Sequence, residues 1–106
     1  DQDYGAKHSI FAPFFDIEAA TITATSRLAK VNDSPVIFLR QFRNLETMKW
    51  ELHFSEVLKD FPSGKDYEDA IRINKIIEAG IKVDPTQYLW MHRRFKTRPE
   101  NQKSFY

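Results

Sequence analysis

The sequence predicts an α/β fold built from few strands, and three patterns carry that prediction. Pro35–Arg43 begins as a near-continuous apolar run, Met48–Phe54 alternates strictly, and Ala70, Ile73, Ile77 and Ile81 recur at helical intervals between Asp66 and Val83. The first suits a strand covered on both faces, the second a half-buried strand, and the third a helix with one apolar stripe. The 106 residues fit one small domain, and no internal repeat or low-complexity tract divides them.

In chain order, Asp1-Gln-Asp-Tyr-Gly5 reads as a strand end entering a tight loop, with Gly5 free to take a positive φ. Ser9–Phe15 is a Phe-rich apolar segment whose Pro13 opposes a regular central strand. Glu18–Lys30 places Ala19, Ile22, Ser26 and Ala29 at helical spacing, which predicts a thin-faced helix able to approach a sheet closely. Asn44–Thr47 serves as the turn joining Pro35–Arg43 to Met48–Phe54 as an antiparallel pair. Phe61–Asp66 is a loop in which Ser63 and Asp66 have capping-box spacing, and the clearest helix follows over Asp66–Val83. Asp84-Pro85 then offers an N-cap and a first-turn proline for a shorter helix carrying Tyr88, Leu89, Met91 and the Arg93-Arg94 pair.

Composition excludes several classes of function. Apolar residues make up 42% and charged residues 29%, which is globular rather than disordered, and a net charge of +1 is no basis for bulk polyanion binding. Without cysteine there is no disulfide and no thiolate metal site. No apolar run reaches the ~18–20 residues that span a bilayer. The chain opens on Asp1 rather than Met, as a piece of something longer or a processed chain would.

Basic function is therefore concentrated near the C-terminal end, where the aromatic run around Trp90 meets His92, Arg93, Arg94, Lys96 and Arg98. Aromatics beside fixed positive charge suit a phosphorylated lipid, or stacked bases with their phosphates. These cations repel one another, and either a bound anion or ion pairing with the acidic residues of the preceding helix would relieve that. Asp1 and Asp3 could orient a base, bind a cation or cap backbone amides. Lys7 could neutralise a phosphate or simply be solvated, and Arg40 and Arg43 end a strand where α/β folds place binding residues. His8, His53 and His92 are scattered and fit no metal motif, so no metal site is expected; His53 is expected to face solvent. No serine has an elbow context for nucleophilic catalysis.

Five blocks in order carry a resemblance: Asp1-Gln-Asp-Tyr-Gly5, Ser9-Ile-Phe-Ala-Pro-Phe-Phe15, Ala19-Ala-Thr21, Thr25-Ser-Arg-Leu-Ala29 and Gln87-Tyr-Leu-Trp-Met-His-Arg-Arg-Phe-Lys-Thr-Arg-Pro99. Together with Phe61-Pro-Ser63 and Asn74, the sequence resembles the bacterial lipid A biosynthesis lauroyl/myristoyl acyltransferases over its whole length. The resemblance implies the C-terminal portion of a lysophospholipid-acyltransferase-like mixed sheet flanked by helices, with residues 1–106 forming part of a single acyltransferase domain. It implies an enzyme at the cytoplasmic face of the inner membrane, using an acyl carrier protein thioester and a phosphorylated, Kdo-bearing lipid A precursor, with no other cofactor and no nucleic acid partner. It also implies a general base in a His-x-x-x-x-Asp/Glu motif. The positions five after His8, His53 and His92 are Pro13, Leu58 and Thr97, so that motif is not in this sequence and the chain alone is expected to be inactive. On this reading Asp1 and Asp3 support the catalytic centre, while Lys7, Arg40, Arg43, His92, Arg93, Arg94, Lys96 and Arg98 bind substrate or headgroups, with Trp90 and Phe95 near the bilayer interface. Two positions depart from the family pattern: Asp16, where glycine is common, and Phe38, where proline is usual. A small nucleic-acid-binding module and a non-functional truncated product are the rival readings.

Overall fold

The computed structural model describes residues 2–106. Asp1, one of the two aspartates given a supporting role, lies outside the described residues. The elements are β1 (Ser9–Phe14), β2 (Ile17–Ile22), α1 (Ala24–Asn32), β3 (Leu39–Asn44), β4 (Lys49–Phe54) and α2 (Asp66–Val83), with short 3-10 turns at Ala6–His8 and Pro85–Gln87. The strands form two separate antiparallel pairs, β1–β2 and β3–β4, and α2 lies across the first.

The helix expected over Glu18–Lys30 is corrected in its first half. Residues 17–22 form β2, paired with β1 from Phe14↔Ile17 to Ser9↔Ile22. Phe15 and Asp16 join the strands in left-handed conformations (φ 49° and 61°), as a two-residue hairpin turn of matching twist demands. That turn also explains the departure at Asp16, because glycine and aspartate are among the residues that tolerate such a φ. β-Branched Ile17, Thr21 and Ile22 favour the strand, and helix begins only at Ala24.

Small residues make the close packing possible. Ala12, Ala19 and Ala20 are fully buried, and Phe14 with Ala19 and Ile81 forms the centre of the core against Phe15, Ile77, Tyr88 and Phe95. α2 spans the predicted residues, with Asp66, Glu68 and Asp69 in its first turn and Lys82 in its last, complementing the helix dipole. Its capping differs from expectation: Ser63 N–H donates to Asp69 at 2.9 Å, while Asp66 pairs with Arg27 at 3.1 Å.

The β3–β4 hairpin has the predicted pairing, running from Leu39↔Phe54 to Asn44↔Lys49. Burial on both faces is not found, because Ile37 and Leu39 are exposed. Nor does a helix carry Tyr88–Arg94. After Pro85–Gln87, where Asp84 accepts the Thr86 N–H, the chain continues as successive turns.

Candidate substrate-binding site

The structure divides the cationic C-terminal segment into buried and exposed halves. Arg94 is only 3% exposed, which corrects the expectation that its charge lies on a binding surface. Its guanidinium donates to the Ala20 carbonyl at 2.8 Å and to Thr21 Oγ1 at 3.2 Å, reaches Asn74 Oδ1 at 3.5 Å, and sits 4.9 Å from the Phe14 ring centroid. Asn74, fully buried on α2, donates in turn to the Pro13 carbonyl at 2.9 Å and to Thr21 Oγ1 at 3.0 Å. Burial disfavours the charged guanidinium and lowers its pKa, with Tyr88 and Asp3 opposing that shift. Beside this network, buried Glu78 accepts the Phe15 N–H at 2.8 Å and pairs with Lys75 at 3.1 Å, tying the β1–β2 turn to α2.

Arg98 is likewise half-buried. It donates to the Glu18 carbonyl and to Gln102, and lies 4.4 Å from the Phe105 ring centroid. Relief of mutual repulsion at these two arginines thus comes from backbone carbonyls and aromatic rings. Arg93 is exposed, 5.6 Å from the Tyr106 ring centroid, and Lys96 is exposed close enough to Asp3 to stabilise its carboxylate. His92 is half-buried, and its Nε2 has no hydrogen-bond partner among the described residues.

Asp3, buried at 4% exposure, caps backbone amides, one of the three roles open to it in the sequence. It accepts the Gly5 N–H at 2.9 Å, the Thr97 N–H at 2.9 Å and the Thr97 hydroxyl at 2.8 Å. Gly5 has the expected positive φ, 87°. Lys7 is exposed in the 3-10 turn that follows.

Arg40 and Arg43 occupy opposite faces of the β3–β4 hairpin. Arg40 faces inward, 5.3 Å from the Phe42 ring centroid, and lines a groove of about 430 Å³ between the hairpin and α2. Phe38, Phe42, Ile73, Ile76, Ile77 and Ile81 line the same groove, which is therefore largely apolar with a cation along its wall. Gly80 contributes by its smallness, since a Cβ there would meet the Phe38 ring at 3.2 Å. Sequence reasoning missed this groove. Its signal was the extra α2 isoleucine, Ile76, beside the Ile73/Ile77 stripe.

The bacterial lipid A biosynthesis acyltransferase family model matches residues 1–97. The chain belongs to that family. Among characterised relatives in Escherichia coli (strain K12), the chain is 39% identical to the lipid A biosynthesis palmitoleoyltransferase and 36% identical to the lauroyltransferase. Each match covers 100% of this chain and 35% of the relative. The myristoyltransferase of the same strain is 33% identical over 92% of this chain and 30% of its own length. The chain thus spans about a third of the length of the relatives it matches. No described helix is long and apolar enough to cross a membrane, and no described group of three His, Asp or Glu could hold a metal ion.

Proposed function

We propose that this chain forms part of a lipid A acyltransferase of lipopolysaccharide biosynthesis, working at the cytoplasmic face of the inner membrane. The observation that carries the reading is family membership across residues 1–97. The transferred group is a fatty acyl chain held as an acyl carrier protein thioester, and the acceptor is a hydroxyl of a Kdo-bearing lipid A precursor. The hydroxyl oxygen bonds to the thioester carbonyl carbon, the carbon–sulfur bond breaks, and the acceptor proton is taken up by a general base and returned to the departing thiolate. That base belongs to a His-x-x-x-x-Asp/Glu motif that this sequence does not contain.

The chain's own residues supply binding. The apolar groove along α2 suits one hydrocarbon chain, whose burial is worth about 0.8 kcal/mol per methylene. Arg40 on its wall, with exposed Lys7, Arg43, Arg93 and Lys96 and half-buried His92, suits phosphate or sugar-acid contacts. Buried Arg94, together with Arg98, holds the framework under them.

The test uses a chimera in which this chain replaces the matched third of the Escherichia coli palmitoleoyltransferase. The chimera should transfer acyl groups from acyl carrier protein to a Kdo-bearing lipid A precursor; a folded chimera without transferase activity would overturn the reading. Ile76→Trp, which fills the groove, should lower kcat/KM about tenfold or more. Arg93→Ala with Lys96→Ala should raise the acceptor KM several-fold, and an unchanged KM would remove those residues from the site.

A further inference from the structure

The groove between α2 and the β3–β4 hairpin has unlike ends. At one end the Gln87 side chain bonds the Arg43 backbone at 2.7 and 2.9 Å, which brings Asp84, Gln87 and Tyr88 beside the Arg40–Phe42 stretch. At the other, the Leu58 N–H donates to the Val36 carbonyl at 2.8 Å and Arg72 reaches the Asp60 carbonyl at 3.4 Å, so Val36 and Leu58 stand against Ile73. The first end is polar and carries the Arg40 cation. The second is mainly hydrocarbon.

Between the two ends the groove narrows. Gly80 lies one helical turn beyond Ile76 on the same face of α2, and a Cβ there would meet the Phe38 ring at 3.2 and 3.3 Å and the Arg40 stem at 3.6 Å. The ring therefore rests almost on the helix backbone and makes a waist. Glycine inside a helix weakens it, and here the missing side chain is what lets the ring lie so low. The main chain beneath the ring is held without it: the Phe38 N–H donates to Ser55 Oγ at 2.8 Å, and the Phe38 carbonyl accepts the Ser55 N–H at 2.9 Å. The side chain at position 38 can thus change size while the hairpin keeps its place.

An apolar site measures a hydrocarbon chain by how much of it can be buried. Each methylene that finds room adds affinity, and each that meets a wall forces strain on its surroundings. A chain with its polar end by Arg40 must cross the waist to bury its tail against Val36, Leu58 and Ile73. We infer that Phe38 and Gly80 set the length of the transferred acyl chain, by fixing how far its tail passes between the hairpin and α2. The inference rests on the reading of this groove as the seat of a hydrocarbon chain, and it makes that chain the donor's. The donor of the proposed reaction carries one such chain, which is what a single groove admits.

The test offers lauroyl-, myristoyl- and palmitoyl-acyl carrier protein in competition to the chimera with the Escherichia coli palmitoleoyltransferase. Phe38→Ala widens the waist and should raise the palmitoyl-over-lauroyl ratio of kcat/KM at least about tenfold. Adding Gly80→Leu refills the waist from the helix side and should take most of that gain back. An active chimera whose ratio ignores Phe38→Ala, or stays raised with Gly80→Leu added, overturns the inference and leaves the transferase reading standing. So does a changed preference among acceptors of different acyl length with the donor ratio unmoved, which would put the acceptor in the groove. The same selection is read without turnover, by displacing a fluorescent fatty acid from the chimera with laurate and with palmitate. There Phe38→Ala should favour palmitate over laurate in the same direction; no displacement, or an equal change for both acids, overturns the inference. An inactive, folded chimera that shows the expected palmitate shift removes the transferase reading and keeps the selection of chain length.

Discussion

Replacing Arg94 with alanine should cost about 3–4 kcal/mol of folding stability, the largest loss expected from any single cation in the chain. The guanidinium joins β2 through Ala20 and Thr21 to α2 through Asn74, and stacks over Phe14 in the core. Removing it leaves the Ala20 carbonyl without that donor and opens space beside Phe14 that Asn74 is too short to fill. With a urea slope of roughly 1–3 kcal/mol/M, the unfolding midpoint should fall by more than about 1 M. Arg94→Lys should recover only part of the loss, since one ammonium cannot reproduce a planar fork aimed at two elements. A surface role predicts the opposite: an unchanged midpoint for both variants would return Arg94 to the binding surface.

The second large effect concerns Asp3 and depends on pH. Burial pushes its carboxyl up, but the Thr97 and Gly5 N–H groups, the Thr97 hydroxyl and the charge of Lys96 together hold it below its ordinary value of 3.8. A depressed carboxyl in the folded state stabilises the fold above the unfolded-state pKa, and that contribution disappears as pH falls through the folded-state value. Asp3→Asn should therefore cost about 2 kcal/mol at pH 7, with the gap between variant and parent closing in strong acid. Urea titrations at pH 7 and below pH 4 check this, and a gap constant across that range would exclude ionisation as the cause.

The parts of the fold legible in the sequence were those whose pattern matched their environment. α2 presents one apolar stripe to β1–β2 and another residue, Ile76, to the groove, so its period shows. β4 alternates so strictly that its strand character is plain, although its apolar face meets no partner among the described residues. The segment containing β2 misleads because alanine and serine fit a helical spacing as well as an extended one. What decides is the Phe15-Asp16 turn, whose left-handed geometry follows from pairing with β1 rather than from any glycine. The cationic segment was harder still. Charge spacing alone does not distinguish Arg94 from Arg93, because the difference lies in carbonyls and a phenyl ring contributed from distant parts of the chain. Asp3 was legible in kind, as a carboxylate beside Gly5 that caps amides, but its second partner is Thr97, 94 positions away.

That last contact has a consequence for assembly. Asp3 and Thr97 hold together two parts of the chain that are 94 positions apart. The clasp is a late event in assembly. Closing a loop of this length costs about 4 kcal/mol of chain entropy, so the carboxylate finds Thr97 only after the hairpins and α2 have shortened the distance between them.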